Sequence, residues 1–105
     1  QMKRVMINLL DNAIEAIGAE GKVSIDLDYD KVLQMARIQV ADNGRGISPE
    51  NKMRLFEPYF STKKQGTGLG LAIVNSIITD HNGFIRVQDN KPKGVKFIIE
   101  LPVRI

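Results

Sequence analysis

The segment Gly66-Thr-Gly68-Leu-Gly70-Leu71 is the part of the sequence whose residue types point most directly to chemistry. Its glycines precede and open a helical pattern, and small residues there leave backbone N–H groups accessible. Because the N-terminus of a helix attracts anions, the segment predicts a phosphate-binding site, with a flexible hinge as the alternative. No Gly-Lys-Ser/Thr follows, which excludes a Walker loop, and the glycine spacing differs from that of a dinucleotide fingerprint.

A second feature is the carboxylate of Asp42, which ends a strand pattern. Ala36, Ile38 and Val40 alternate with polar residues, and Asp42 continues their phase, so its side chain is expected to point toward the core. An inward carboxylate is costly unless a partner satisfies it. The segment Asp42-Asn-Gly44-Arg-Gly46 is also a frequent turn signal, so a turn role and a ligand role are both open at this point.

A third feature is a pair of asparagines, Asn8 and Asn12, which lie one turn apart on the first helical pattern and so share a face. Asp11 and Glu15 are expected on the same polar side. The opposite, core-facing stripe follows a helical period and comprises Met2, Met6, Leu9, Leu10, Ala13, Ile14 and Ile17. Taken alone, a polar helix face is usually only solvated, and the helix by itself does not assign a ligand.

The elements that must position these residues alternate between helices and strands. In order, the patterns predict a helix ending at Gly18, a hairpin with strands at 23–29 and 36–40, a short helix from Ser48 to Phe56, a helix from about 68 to 81, and strands at 84–88 and 95–101. Strand pairs interspersed with helices predict an α/β fold, specifically a two-layer α/β sandwich with a mixed, mostly antiparallel sheet.

Composition narrows the class of protein. The 105 residues suit one compact domain. The chain has no cysteine, which excludes disulfides, thiolate metal sites and a cysteine nucleophile. Its apolar runs are far shorter than the roughly 20 residues of a membrane-spanning helix, and its lysines are scattered, so neither membrane contact nor nucleic-acid binding is expected.

Four ordered clusters carry a family resemblance. They are Asn8-Leu-Leu-Asp-Asn12-Ala, Asp42-Asn-Gly44-Arg-Gly46-Ile, Phe56-Glu-Pro-Tyr-Phe60 and Gly66-Thr-Gly68-Leu-Gly70-Leu. Together they resemble the N, G1, F and G2 boxes of the GHKL ATPase superfamily, which includes histidine kinases, Hsp90, gyrase-type topoisomerases and MutL proteins. The third cluster, continued by Ser-Thr-Lys, is similar to the histidine kinase branch, in particular nitrogen-regulation sensor kinases of the NtrB/NtrY kind. The implied fold is the Bergerat ATP-binding fold, with three helices on one face of the sheet.

The resemblance assigns a base-binding end and a phosphate-binding end. Asp42 matches the aspartate that accepts a hydrogen bond from the adenine amino group. Gly44 and Gly46 let the backbone pass close to the base, and Ile47 packs against its face. At the other end, the phosphate-binding set is Gly66, Thr67, Gly68, Leu69, Gly70 and Leu71.

The metal and the remaining charges follow from the same resemblance. Asn12 matches the family's Mg2+ ligand, and an amide oxygen suits this hard cation. Asn8 is expected to meet the same triphosphate–metal unit and is the one candidate for a catalytic role. Arg54 and Lys63 either approach the γ-phosphate or are solvated surface charges.

Two residues depart from the family pattern or need a separate explanation. Glu15 stands where many histidine kinases have a basic residue, and a carboxylate there would repel phosphate. His81 is the only histidine. It lies at the end of the predicted third helix and is followed by Asn82 rather than by the Glu or Asp of a phosphoacceptor pattern, so it is expected to cap or pack rather than accept phosphate.

The resemblance implies that residues 1–105 form the ATP-binding catalytic domain of a longer histidine kinase. With ATP and Mg2+ bound, this enzyme domain would offer the γ-phosphate to a histidine on the protein's own dimerisation domain. A response regulator receiver domain would be the partner of the full-length kinase, and the domain would be cytoplasmic. The alternatives are a GHKL nucleotide-binding module, or an ATPase or anti-sigma-type serine kinase, without histidine phosphotransfer.

Overall fold

The computed structural model describes residues 1–60 and 70–103. The elements are α1 (Met2–Ile17), β1 (Val23–Asp30), β2 (Met35–Asp42), α2 (Pro49–Lys52), α3 (Gly70–Asp80), β3 (Phe84–Asp89) and β4 (Val95–Pro102). Within the described residues, no helix combines the length and the apolar character that a membrane crossing requires.

The four strands form one sheet in the order β1-β2-β4-β3. The predicted β1–β2 hairpin is confirmed, with Ile25 opposite Val40 in its register. All three strand pairings are antiparallel. The predicted α/β sandwich is therefore confirmed, but the described strands form an antiparallel sheet throughout rather than a mixed one.

The core lies between this sheet and the helices. α1 packs mainly against β2 and α3 mainly against β3, and the two helices contact each other. The fully buried side chains come from both layers, with Leu9 and Ile78 from the helices and Val40 and Ile99 from the sheet. This packing of one apolar helix face on one apolar sheet face is the two-layer arrangement that the strand and helix order predicts.

The buried face of α1 is rotated from the predicted stripe. Val5, Leu9 and Ala13 are buried, although Val5 was absent from the prediction, while Ile14 was included and is 57% exposed. At about 100° per residue, Ile14 lies about 140° from Leu9 around the helix. A side chain that far from the centre of the buried face points away from the sheet, so the assignment of Ile14 to the core was wrong.

The same rotation changes the position of the two asparagines. Asn8 and Asn12 are half-buried, whereas Asp11 and Glu15 are exposed. Asn12 lies only about 60° from Leu9 around the helix. The asparagines therefore flank the buried face instead of lying opposite it.

Strand β1 shows how far the helix layer extends. Ile25 and Leu27 alternate as the sequence predicts, yet they are 51% and 74% exposed. Because β1 is an edge strand and α1 packs mainly on β2, the apolar face of β1 is only partly covered.

The short helix α2 begins as predicted and ends early. The Ser48 side chain accepts a hydrogen bond from the Asn51 backbone N–H at 3.2 Å, and Pro49 occupies the start of the helix. The predicted extension to Phe56 is wrong, because the helix ends at Lys52 and residues 53–56 form turns.

The way in which α3 ends explains the role of His81, the residue that follows the helix. Asn82 adopts a left-handed conformation with φ 62°, and the Gly83 N–H donates to the Ile78 carbonyl at 2.9 Å, which closes the helix in a Schellman motif. The His81 Nδ1 lies 2.8 Å from the Ile77 carbonyl oxygen. The predicted capping role of His81 is thus confirmed.

Truncation of Leu9 tests the position of the buried face. Leu9 is fully buried, so we expect Leu9→Ala to lower the free energy of unfolding by about 2–5 kcal/mol. Ile14→Ala, on the same helix, is the matched control and should change it by less than about 0.5 kcal/mol. Urea unfolding followed by circular dichroism measures both; equal losses would show that Ile14 also belongs to the core.

Candidate functional site

The carboxylate of Asp42 is the centre of the candidate site. Among the described residues, Asp42 is the one charged residue that is buried, with 5% of its surface exposed. Its Oδ1 accepts hydrogen bonds from the backbone N–H of Gly44 at 2.9 Å and of Val95 at 3.4 Å. The inward orientation predicted from strand phase is confirmed, and the first of these bonds is also the Asx turn that the Asp-Asn-Gly sequence suggested.

Residues 42–46, from Asp42 onward, are called the Asp42 loop. It lies against the C-terminal end of α1: a Cβ at Gly44 would collide with the Ala16 carbonyl oxygen, and the Arg45 N–H donates to that same oxygen at 3.4 Å. Glycine at position 44 is therefore required by contact between the loop and α1, and the loop cannot move away from that helix without losing a backbone hydrogen bond.

The β3–β4 turn, residues 90–94, contacts the Asp42 loop from the other side. A Cβ at Gly94, where φ is 104°, would overlap the Asp42 carbonyl oxygen. The side-chain amide of Asn90 donates to this oxygen at 2.8 Å. The strands predicted at 84–88 and 95–101 imply only a connection here, because nothing local to it indicates a contact 48 residues away.

The predicted phosphate-binding end is represented by Gly70, where α3 begins. The side-chain amide of Asn8 donates to the Gly70 carbonyl oxygen at 3.1 Å. This hydrogen bond joins two of the residues that the sequence singled out. It also leaves the Asn8 Oδ1 as the acceptor end of that side chain.

One flank of α1 connects the two ends of the site. Asn8, Asn12 and Ala16 succeed one another at one-turn spacing; the first contacts Gly70 and the last contacts the Asp42 loop. The helix rise places Asn8 and Ala16 about 12 Å apart along the axis. Asn12 lies between them, with its side chain half-buried.

The aromatic cluster of residues 56–60 attaches the segment after α2 to the core. Phe56 packs edge-to-face on Phe97, with ring centroids 6.5 Å apart, and Phe60 also packs against the buried cluster. Both phenylalanines are thereby anchored to the core. The Arg54 guanidinium lies 4.5 Å from the Phe60 ring centroid and 3.5 Å from the Glu57 carboxylate, so its described contacts are within this segment.

The other predicted site residues divide into two groups. Ile47 and Leu71 are half-buried and pack against the core, and Gly46 has a left-handed φ of 79°. The candidates that lie outside the described residues are Lys63, Gly66, Thr67, Gly68 and Leu69.

Comparison with known proteins decides the family. The family described as histidine kinase-, DNA gyrase B-, and HSP90-like ATPase matches residues 1–105 of this sequence. The chain belongs to this ATPase family. Curated relatives that match almost the whole chain are named histidine kinases, which identifies the chain as a catalytic domain of the histidine kinase class and confirms the family that the four boxes suggested.

Two relatives illustrate the similarity of this histidine kinase domain. Sensor histidine kinase ZraS of Salmonella typhimurium is 44% identical over 98% of the chain, and the chain spans 22% of that protein. Sensory histidine kinase/phosphatase NtrB of Rhodobacter capsulatus is 39% identical over 98% of the chain and 32% of the relative. The expected closeness to NtrB and NtrY holds only in part, because ZraS matches at least as well.

Solved structures agree with this assignment. The catalytic domain of histidine kinase ThkA has a TM-score of 0.85 and 45% identity, and the match covers 96% of this chain and 65% of that one. Full-length ShkA in complex with AMPPNP has a TM-score of 0.83 and 29% identity, and the match covers 96% of this chain and 21% of ShkA. ThkA in complex with response regulator protein TrrA has a TM-score of 0.82 and 39% identity, and the match covers 99% of this chain and 29% of the matched chain.

Two glycines with left-handed backbones test the contact between the β3–β4 turn and Asp42. Gly18→Ala should cost about 1–3 kcal/mol from backbone strain alone, because its φ is 64° and, apart from its chain neighbours, no atom of the described residues lies within 4 Å of a Cβ there. Gly94→Ala should cost about 3 kcal/mol or more, since overlap with the Asp42 carbonyl adds to the strain. Urea denaturation of both variants gives the comparison, and similar costs would show that the turn tolerates displacement from Asp42.

Proposed function

We propose that this domain binds Mg-ATP and supplies the γ-phosphate to a histidine on a separate dimerisation domain of a longer sensor kinase. The observation that carries the proposal is the flank of α1, which joins the Asp42 loop at one end to the start of α3 at the other. A nucleoside triphosphate has the same division into a base end and a phosphate end.

Asp42 suits the base end of the ligand. Its Oδ1 already accepts two backbone N–H groups, and Oδ2 takes part in neither bond. A carboxylate has room for about four hydrogen bonds, so Oδ2 remains suited to accept from the exocyclic amino group of adenine. Because Asp42 is buried, water competes weakly for this bond.

The flank of α1 and the start of α3 suit the phosphate end. Asn8 holds Gly70, and backbone N–H groups at a helix start favour anions. Asn12 lies between the two ends and supplies an amide oxygen; Mg2+ usually takes one or two protein ligands and completes its shell with phosphates and water. When bound, Mg2+ would neutralise charge on the transferring phosphoryl group.

The contribution of the chain's own residues is then mainly positioning, as in most phosphoryl transfer. Asp42 would orient the base, and Asn8 would hold the start of α3 against α1. We further propose that the acceptor histidine lies on the kinase's own dimerisation domain, that a response regulator is the next partner, as for ThkA with TrrA, and that the reaction is cytoplasmic, where ATP is supplied.

The substitution Asp42→Asn tests the base end with little change of shape. The asparagine Oδ1 can keep both backbone hydrogen bonds, while its NH2 group replaces Oδ2 and faces another donor. We expect ATP affinity to fall roughly a hundredfold, measured by isothermal titration calorimetry with Mg2+. Asp26→Asn removes the same charge from an exposed position on β1 and should leave affinity within about twofold; unchanged affinity in Asp42→Asn would refute the base pocket.

Phosphotransfer in trans tests the kinase step. The domain is mixed with the histidine-bearing domain of its full-length protein and γ-labelled ATP, and the acceptor should gain an acid-labile, base-stable phosphate. Asn12→Ala should slow this labelling about tenfold or more, equivalent to ~1.4 kcal/mol, whereas Asp11→Ala, exposed on the same helix, should not.

Two results would favour the alternatives to histidine phosphotransfer. Tight ATP binding without any phosphohistidine would indicate a nucleotide-binding module. Label on a serine of the partner would indicate a serine kinase.

A further inference from the structure

The β3–β4 turn has a contact that neither the turn itself nor the four sequence boxes require. Its backbone is closed by the Asn90 N–H donating to the Gly94 carbonyl at 2.9 Å. The Asn90 side chain does not take part in that closure. It donates to the Asp42 carbonyl oxygen at 2.8 Å instead.

We propose that Asn90 is a positioning residue that holds Asp42 in the orientation for base recognition. On this basis, the β3–β4 turn determines how strongly the site distinguishes a purine with a 6-amino group from one without it. The inference rests on the proposed ATP-binding function, which assigns Asp42 to the base.

The first step is that Asp42 is held on both its backbone and its side chain. Asn90 binds its carbonyl oxygen, while the N–H of Val95, immediately after the turn, donates to its Oδ1. Both donors belong to the β3–β4 turn or to the residue that follows it. A displacement of this turn would therefore move the Asp42 backbone and its carboxylate together.

The second step is that the turn itself is confined. Gly94 packs so closely on the Asp42 and Asn43 backbones that a Cβ would overlap them, and on the far side Asp89 forms an ion pair with Lys52 of α2 at 2.7 Å. Asp89 is 66% exposed in that pair, so screening makes this link weak. The partly buried Asn90 hydrogen bond and the close Gly94 contact therefore hold the turn against Asp42 more firmly than this ion pair does.

The third step is what the loss of Asn90 would change. Without the amide donor, the buried Asp42 carbonyl loses a hydrogen-bond partner, and the peptide that carries the carboxylate gains freedom to rotate. The Oδ2 atom would then lie less often in line with an exocyclic amino group. The proposed phosphate contacts lie elsewhere, on α1 and at the start of α3, and would be unaffected.

The test compares ATP with purine riboside triphosphate, which has hydrogen in place of the 6-amino group. Wild type should bind ATP roughly tenfold or more tightly than the analogue. Asn90→Ala should weaken ATP binding by about the same factor while leaving analogue binding within about twofold. Gln88→Ala, an exposed change on β3 near the turn, is the control and should keep the wild-type ratio.

Asn90→Leu is a second variant with nearly the same side-chain shape, no donor and no added charge, and it should reproduce the loss of discrimination. Added to Asp42→Asn, the Asn90→Ala change should cause no further loss of ATP affinity. Equal weakening for both nucleotides, or unfolding of both Asn90 variants in circular dichroism, would overturn the inference in favour of a purely structural role. If wild type itself shows no preference for ATP over the analogue, the proposed base pocket fails first.

Discussion

The burial of the Asp42 carboxylate is the constraint on which the rest of the site depends. A buried charge is tolerated only where hydrogen bonds replace its lost hydration, and here the backbone N–H groups of Gly44 and Val95 provide them. These donors come from two separate parts of the chain. Their convergence requires the Asp42 loop, the end of α1 and the β3–β4 turn to approach within contact distance, and two glycines make that approach possible.

Helix α1 serves both the core and the site because its two roles occupy different parts of its circumference. Leu9 and its neighbours at four-residue spacing bury the centre of one face against the sheet. The asparagines occupy a flank, where they are partly enclosed yet accessible. A ligand on that flank would rest on a helix whose position is set by apolar packing, which favours a preorganised site.

The match to histidine kinases agrees with this arrangement at the level of family and fold. The chain spans about a fifth of the curated ZraS relative. The proposed phosphotransfer would depend on how this domain meets an acceptor histidine elsewhere in a longer protein. Exposed apolar side chains on α1 and β1, including Ile14 and Leu27, are not covered by the described helices and strands.

Local patterns in the sequence determined most of the elements and the inward carboxylate at the centre of the candidate site. Period and capping residues predicted α1, the β1–β2 hairpin and the start of α2, and strand phase predicted the inward carboxylate of Asp42. Such signals succeed because each depends on residues a few positions apart. They failed where coverage matters: an apolar phase on Leu27 or Ile14 says which way a side chain points, but the partner layer decides whether it is buried.

Only the tertiary structure decided what surrounds Asp42. Asn90 and Gly94 have the composition of an ordinary turn, and their significance comes from contact with a strand end about fifty positions earlier in the chain. The same holds for Asn8, whose partner Gly70 is 62 positions away. Contacts at such separation depend on how the sheet order brings β2 beside β4 and how α1 packs beside α3, and no periodicity within either segment encodes that.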